Sequence, residues 1–183
     1  MDHDELSKDQ ILSAFQSLSD HLAAQGVKGE LCIFGGTVMV LAFASRLATK
    51  DVDAIFQPTQ LVRESAAKVA DELNLPQHWL NDAVKGFVSA RHETIEGVLP
   101  QFPNLRLLMP TPEYLLAMKC MASRIDATEK KGGDVQDIAF LIRHLQLKSS
   151  PKVMEIVAQY YPANRIPIKA QYLVESMFEE GLV

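Results

Sequence analysis

The residues that most restrict this chain are Gly35-Gly36-Thr37 and Asp51-Val52-Asp53, which bracket an apolar stretch and stand just before another, Ala54-Ile55-Phe56. On a β-strand, residues two apart project from one face, so Asp51 and Asp53 would stand side by side with Cα atoms roughly 6.5–7 Å apart. Val52 would then point the other way, into a core. An acid–apolar–acid alternation of this kind fits a strand with one wet face. Parallel carboxylates at that distance repel unless a cation lies between them. One or two carboxylates, completed by substrate phosphate oxygens and water, are how Mg²⁺ is commonly held.

Gly35-Gly36 directly follows a short, mostly apolar run, Glu30 to Phe34, which reads as a strand. Glycines at a strand-to-helix turn permit close backbone approach to a ligand, and a helix N-terminus offers free N–H groups to a phosphate. Taken singly, a D-x-D usually marks solvated residues and a Gly-Gly a tight turn. In the order strand, Gly-Gly, helix, strand, D-x-D, they suggest nucleotide chemistry, with the aspartates holding a metal on a triphosphate.

The rest of the chain supplies the scaffold. Ser7 and Gln10 have the spacing of a capping box, and Ile11, Leu12, Phe15, Leu18 and Leu22 follow at helical intervals, so a first helix runs to about Ala24. Thr37 to Leu47 suits a buried helix and Asp51 to Phe56 a second strand. Thr59 caps an amphipathic helix carrying Leu61, Val62, Val69 and Leu73. Leu75 to Asp82 reads as a loop with a turn of helix around Trp79, which is a core anchor before it is a stacking platform. Phe87-Val88 and Leu105 to Leu108 are strand candidates. Thr111-Pro112 opens a helix to about Arg124; Asp126 to Gly133 is a loop; Val135 to Leu145 is helical; further helices follow Pro151 and Pro167. This order predicts an α/β or α+β fold, with a small sheet in the first two-thirds and a helical C-terminal third.

Composition removes several classes of function. A chain of 183 residues that is 48% hydrophobic suits one compact domain, or a small domain with a helical extension, and buries a core without staples. Its 18 basic and 23 acidic residues give a net charge of -5, which argues against a general nucleic-acid coat while leaving room for a local basic cleft. Cys32 and Cys120 read as small buried hydrophobes. His3, His21, His78, His92 and His144 lack metal-ligand spacing, and no serine or cysteine has a recognisable nucleophile setting. The acidic, polar start is unlike a signal peptide. The longest uncharged run, Leu31 to Ser45, is shorter than the roughly 20 residues that span a bilayer. A cytoplasmic protein without a membrane partner is expected.

The pattern Gly35-Gly36-Thr37, then Arg46, then Thr49-Lys50-Asp51-Val52-Asp53 resembles the nucleotidyltransferases of the DNA polymerase beta superfamily, and within it the AbiEii and MenT toxin-like group. Those proteins carry G-[SG]-[ST], a downstream arginine and a D-x-D, then a lysine-bearing helix and an acidic motif. Pro112 to Lys119, Arg124 and Asp134-Val135-Gln136-Asp137-Ile138 match the second half, and Trp79 to Val84 is also similar to a segment of this group. The likeness spans about residues 31 to 145. It implies an α/β nucleotidyltransferase-like core over residues 1–108, built on a small mixed sheet, and a helical region over 109–183 packed on it.

Residue by residue, the resemblance implies that Gly35, Gly36, Thr37, Arg46 and Lys50 bind nucleotide and that Asp51 and Asp53 bind Mg²⁺ or Mn²⁺. Lys119 would reach the nucleotide phosphates, and Asp134 or Asp137 would be the late acidic residue. These two stand three apart on one helix face, so spacing does not choose between them. The pattern departs from the family in two places. Gly36 stands where many relatives have serine, leaving the hydroxyl to Thr37, and Leu105 to Leu108 offers no third metal carboxylate, Glu93 and Glu96 being the nearest acids.

The implied activity transfers a nucleoside monophosphate from an NTP to an acceptor hydroxyl, at the 3′ end of tRNA or on a protein. The implied role is that of a toxin balanced by an antitoxin protein, or of phage defence. A small-molecule acceptor, as in antibiotic-modifying relatives, and an inactive fold serving as a binding module are the alternatives. Read without the resemblance, Lys119 on its apolar helix is equally an ion-pair or snorkelling lysine. Arg124 would pair with Asp134 or Asp137 to tie two helices. Lys130-Lys131-Gly132-Gly133 is a basic loop able to touch an RNA backbone.

Overall fold

A computed structural model describes residues 5–123 and 133–183. Arg124 and Lys130-Lys131-Gly132, and with them most of the loop expected from Asp126 onward, lie outside the described residues. The chain divides into two compact units, one comprising the chain up to Gly86 with Thr94–Met109, the other Phe87–Glu93 with Pro110–Val183. Among the described residues, seven α-helices accompany a small mixed sheet, an α+β arrangement. None of these helices is long and apolar enough to cross a membrane.

In chain order the first unit runs β1 (Leu6–Ser7), α1 (Lys8–Ala24), β2 (Gly29–Ile33), α2 (Gly35–Leu41), β3 (Ala48–Thr49), β4 (Val52–Gln57), α3 (Thr59–Leu73) and β5 (Leu80–Asn81), then β6 (Thr94–Ile95) and β7 (Leu105–Pro110). The main sheet has the order β5-β4-β2-β7-β6; β2 is antiparallel to β4 and parallel to β7, and β4 is parallel to β5. The short strands β1 and β3 pair separately. Helix α1 begins with the capping box expected of Ser7 and Gln10: the Gln10 N–H donates to the Ser7 hydroxyl at 3.3 Å, and the Ser7 N–H donates to Gln10 Oε1 at 2.9 Å. It packs on α3, which in turn packs on β4.

Strand β4 alternates as its sequence predicts. Val52, Ala54 and Phe56 are buried, while Asp53 and Ile55 are only half-buried. Leu31 and Ile33 of β2 lie opposite Phe56 and Ala54 and share the buried side. The other face carries Cys32, Ile55 and Asp53.

Four expectations need correction. Helix α2 stops at Leu41, well short of Leu47, because Ala44 takes a left-handed conformation (φ 49°) and the Ser45 N–H turns back to the Met39 carbonyl at 3.0 Å. Thr59 is the first residue of α3 rather than its cap; Pro58 holds that position, and the Thr59 hydroxyl donates to the Phe56 carbonyl at 3.1 Å. Phe87 closes a 3-10 turn, Ala83–Phe87, and no strand contains it or Val88. Within the segment expected as a loop, Leu80–Asn81 forms a strand on the edge of the sheet. The tryptophan beside it is a core anchor, fully buried and donating from Nε1 to the Ala66 carbonyl at 2.9 Å.

The second unit is helical: α4 (Pro112–Ala122), α5 (Gly133–His144), α6 (Ser150–Tyr160) and α7 (Ile168–Glu179). Thr111 caps α4 by accepting the Tyr114 N–H at 3.4 Å, with Pro112 in the first turn. Helix α4 packs on α5 and α6, and α6 on α7, around Leu115, Leu116, Leu141, Val157 and Val174. Residues 87–93 are tied into this unit by polar contacts. Tyr114 accepts the Ser89 N–H at 2.8 Å, Tyr160 donates to Glu93 at 2.6 Å, and Tyr161 donates to the Phe87 carbonyl at 2.5 Å.

Candidate functional site

The glycine turn and the D-x-D segment are built against each other. Gly35 has φ +59°, the left-handed region that only glycine occupies cheaply, and a Cβ there would stand 3.1 Å from Asp53 Oδ2. A Cβ on Gly36 would lie 2.3 Å from Thr49 Oγ1 and 3.6 Å from Arg46 Nη1. The close approach that a Gly-Gly pair permits is therefore made, at Gly36, by this chain's own Thr49. Thr37 is fully buried, and its hydroxyl donates to the Asp51 carbonyl at 3.1 Å, where the Thr49 hydroxyl also donates at 3.3 Å. The Phe34 N–H donates to the Asp53 carbonyl at 2.8 Å. Backbone groups of both aspartates are thus held by the turn and by β3.

Asp51 immediately precedes β4 and Asp53 is its second residue; both are half-buried. Parallel pairing sets Asn81 of β5 opposite Asp53, so their side chains share a face. Asn81 Nδ2 donates to Asp51 Oδ2 at 3.0 Å, and Asn81 Oδ1 accepts the Ala83 N–H at 3.0 Å. Sequence reasoning did not single out Asn81 as a site residue. Its only signal was membership of the Trp79 to Val84 segment. Its neighbour Asp82 is engaged by Lys85 at 2.6 Å and Arg63 at 3.0 Å, and the Lys85 hydrogen bond is the main reason its carboxyl is held below the usual range. Arg46, half-buried beside Gly36, belongs to the same locality; Lys50 is exposed next to Asp51.

The donors at this place suit a hard cation. Asp51 and Asp53 offer carboxylate oxygens only. The one sulfur on that sheet face, Cys32, has its thiol pushed up to about 12 by burial and then by the Glu30 charge, so it supplies no thiolate near neutral pH. Among the described residues no group of three or more His, Cys, Asp or Glu is placed to hold a metal. A protein share of two carboxylates matches Mg²⁺, whose remaining ligands are commonly phosphate oxygens and water. The third carboxylate sought near β7 is not supplied there. Glu96 is paired with Arg106 at 2.8 Å, and Glu93 accepts hydrogen bonds from Tyr160 and Arg91.

Comparison with protein-family models, with curated proteins and with solved structures gave no match.

The other expected residues form a group of their own in the second unit. Lys119 on α4 is buried, with Nζ 2.6 Å from Asp137 Oδ2 and 3.1 Å from Asp134 Oδ1, both on α5. The two acids that spacing could not separate differ in burial: the Asp137 side chain is 2% exposed and that of Asp134 46%. An ammonium removed from water needs such partners, so Lys119 and Asp137 tie α4 to α5 as a buried ion pair. Cys120, the next residue, is fully buried, and burial pushes its thiol up to about 12.

Proposed function

We propose that the chain is a Mg²⁺-dependent nucleotidyltransferase, moving a nucleoside monophosphate from an NTP to an acceptor hydroxyl with release of pyrophosphate. The observation that carries this reading is the convergence on Asp51 and Asp53 of the Gly35-Gly36-Thr37 turn, Thr49 and Asn81. Two half-buried carboxylates two residues apart, one just before β4 and one on it, repel each other. Here contacts from separate segments fix the backbone of both residues, and Asn81 holds the Asp51 carboxylate.

Asp51 and Asp53 are the residues that would hold Mg²⁺, which when bound neutralises phosphate charge and makes an acceptor hydroxyl easier to deprotonate. The chain's own cations add to this. Arg46 and Lys50, between α2 and β4, supply positive charge for the triphosphate. Lys119 serves first to join α4 and α5 through Asp137, with Asp134 the more exposed of its two partners. The resemblance supports a tRNA or protein acceptor and a toxin role with a partner antitoxin. The net charge of -5 supports a small or protein acceptor over free RNA. NTP as substrate goes with a cytoplasmic location. One observation favours a second reading, an inactive fold that binds without transfer: β7 carries no acid.

Thermal melting tests the site. With millimolar Mg²⁺ and at least one of ATP, GTP, CTP or UTP, the wild-type midpoint should rise, and the rise should vanish in Asp51→Asn and Asp53→Asn. A wild-type midpoint unmoved by every combination would contradict the proposal.

A further inference from the structure

We infer that Asn81 is a positioning residue for Asp51, a role that rests on the cation site proposed above. An ionised Asp51 carboxylate can only accept, which turns the NH₂ group of the Asn81 amide toward Asp51 Oδ2 and leaves Oδ1 to accept the Ala83 N–H. The amide therefore has one orientation, and it can only donate to the carboxylate. It engages one oxygen of Asp51, while the Thr37 and Thr49 hydroxyls hold the same residue by its carbonyl.

The short strand that presents Asn81 is fastened on both sides. Before it, the buried Trp79 is anchored to the Ala66 carbonyl, and its own carbonyl accepts the Val52 N–H at 2.6 Å. After it, Asp82 is clamped by Arg63 and Lys85. Two residues of strand bury little, so these fastenings account for why β5 stays beside β4 and keeps the amide on Asp51. A carboxylate destined for a metal gains from a partner that fixes its rotamer. Removing such a partner typically costs 10–100-fold in metal affinity.

Direct titration of Mn²⁺, followed by its electron paramagnetic resonance signal, tests this on the whole chain, with and without the α,β-methylene analogues of ATP, GTP, CTP and UTP. Asn81→Ala should weaken Mn²⁺ binding about 10-fold or more. Asn81→Ser keeps an oxygen for the Ala83 N–H but is too short to reach Asp51. It should fold as the wild type does and show the same weakening, so a folding defect in the alanine variant does not decide the matter. In an Asp51→Asn background, Asn81→Ala should change the residual affinity no further, because Asn81 acts through Asp51. Asn81→Ser binding Mn²⁺ as tightly as wild type, with Asp51→Asn impaired, would overturn the positioning role alone. Wild type and Asp51→Asn binding Mn²⁺ equally, or not at all, would overturn the cation site and this role with it.

Discussion

Replacing Asp137 with alanine removes the carboxylate 2.6 Å from Lys119 Nζ and leaves that ammonium, whose side chain is only 10% exposed, with Asp134 at 3.1 Å. Breaking a buried ion pair from one side costs about 3–5 kcal/mol, because the remaining charge stays out of water. Asp134 offsets part of that, which sets the expectation near the lower end, about 3 kcal/mol. Asp134→Ala is different. Its side chain is 46% exposed, and a pair so open to solvent is worth under about 1 kcal/mol. For a chain of this length, about 3 kcal/mol corresponds to a midpoint lowered by roughly 6–12 °C. Urea denaturation followed by far-UV circular dichroism, with midpoint and slope compared, reads the difference. Lys119→Met combined with Asp137→Leu should recover most of the loss, since an apolar pair of similar volume often replaces a buried ion pair at no cost. Equal losses for Asp137→Ala and Asp134→Ala, or a loss under about 1 kcal/mol for Asp137→Ala, would refute the buried pair. Any activity lost in a Lys119 variant has to be judged against this stability effect first.

Gly36→Ala should destabilise by about 1–3 kcal/mol, because the new methyl would stand 2.3 Å from Thr49 Oγ1. Thr49→Ala in the same chain should recover part of that, and a Gly36→Ala protein with the wild-type urea midpoint would contradict the packing of the turn. Cys32 and Cys120, both buried with thiols pushed up to about 12, should resist a thiol reagent at pH 8 until the chain is unfolded. Rapid labelling of either thiol in the folded protein would contradict their burial.

Where a periodicity or a local hydrogen bond decides the structure, the sequence reads correctly. The capping box at Ser7 and Gln10 and the alternation across Val52 to Phe56 are of that kind, and so is the Thr111-Pro112 helix start. Elements decided by long-range contacts do not read this way. Nothing between Leu41 and Leu47 breaks a helix on propensity, and the turn at Ala44 is visible only in the folded backbone. The strands β1, β3 and β5 are two residues long and carry no period at all. Phe87, apolar enough to suggest a strand, instead ends a 3-10 turn, and its carbonyl accepts from Tyr161, 74 positions away.

The candidate site divides in the same way. Asp51, Asp53 and the two glycines stand out by type and spacing, but their mutual packing does not. Asn81 reaches Asp51 across 30 positions, a contact that no local pattern announces. Asp134 and Asp137 share a helix face and are separated only by burial.

The measurement that bears most directly on the account is transfer itself. Wild type, Asp51→Asn and Asp53→Asn would each be incubated with Mg²⁺, a cell extract and, in turn, each NTP labelled at the α-phosphate. Label should be joined to RNA, protein or a small molecule by the wild type, and none above background by either variant. No label from the wild type with any NTP, or undiminished labelling by both variants, would contradict it.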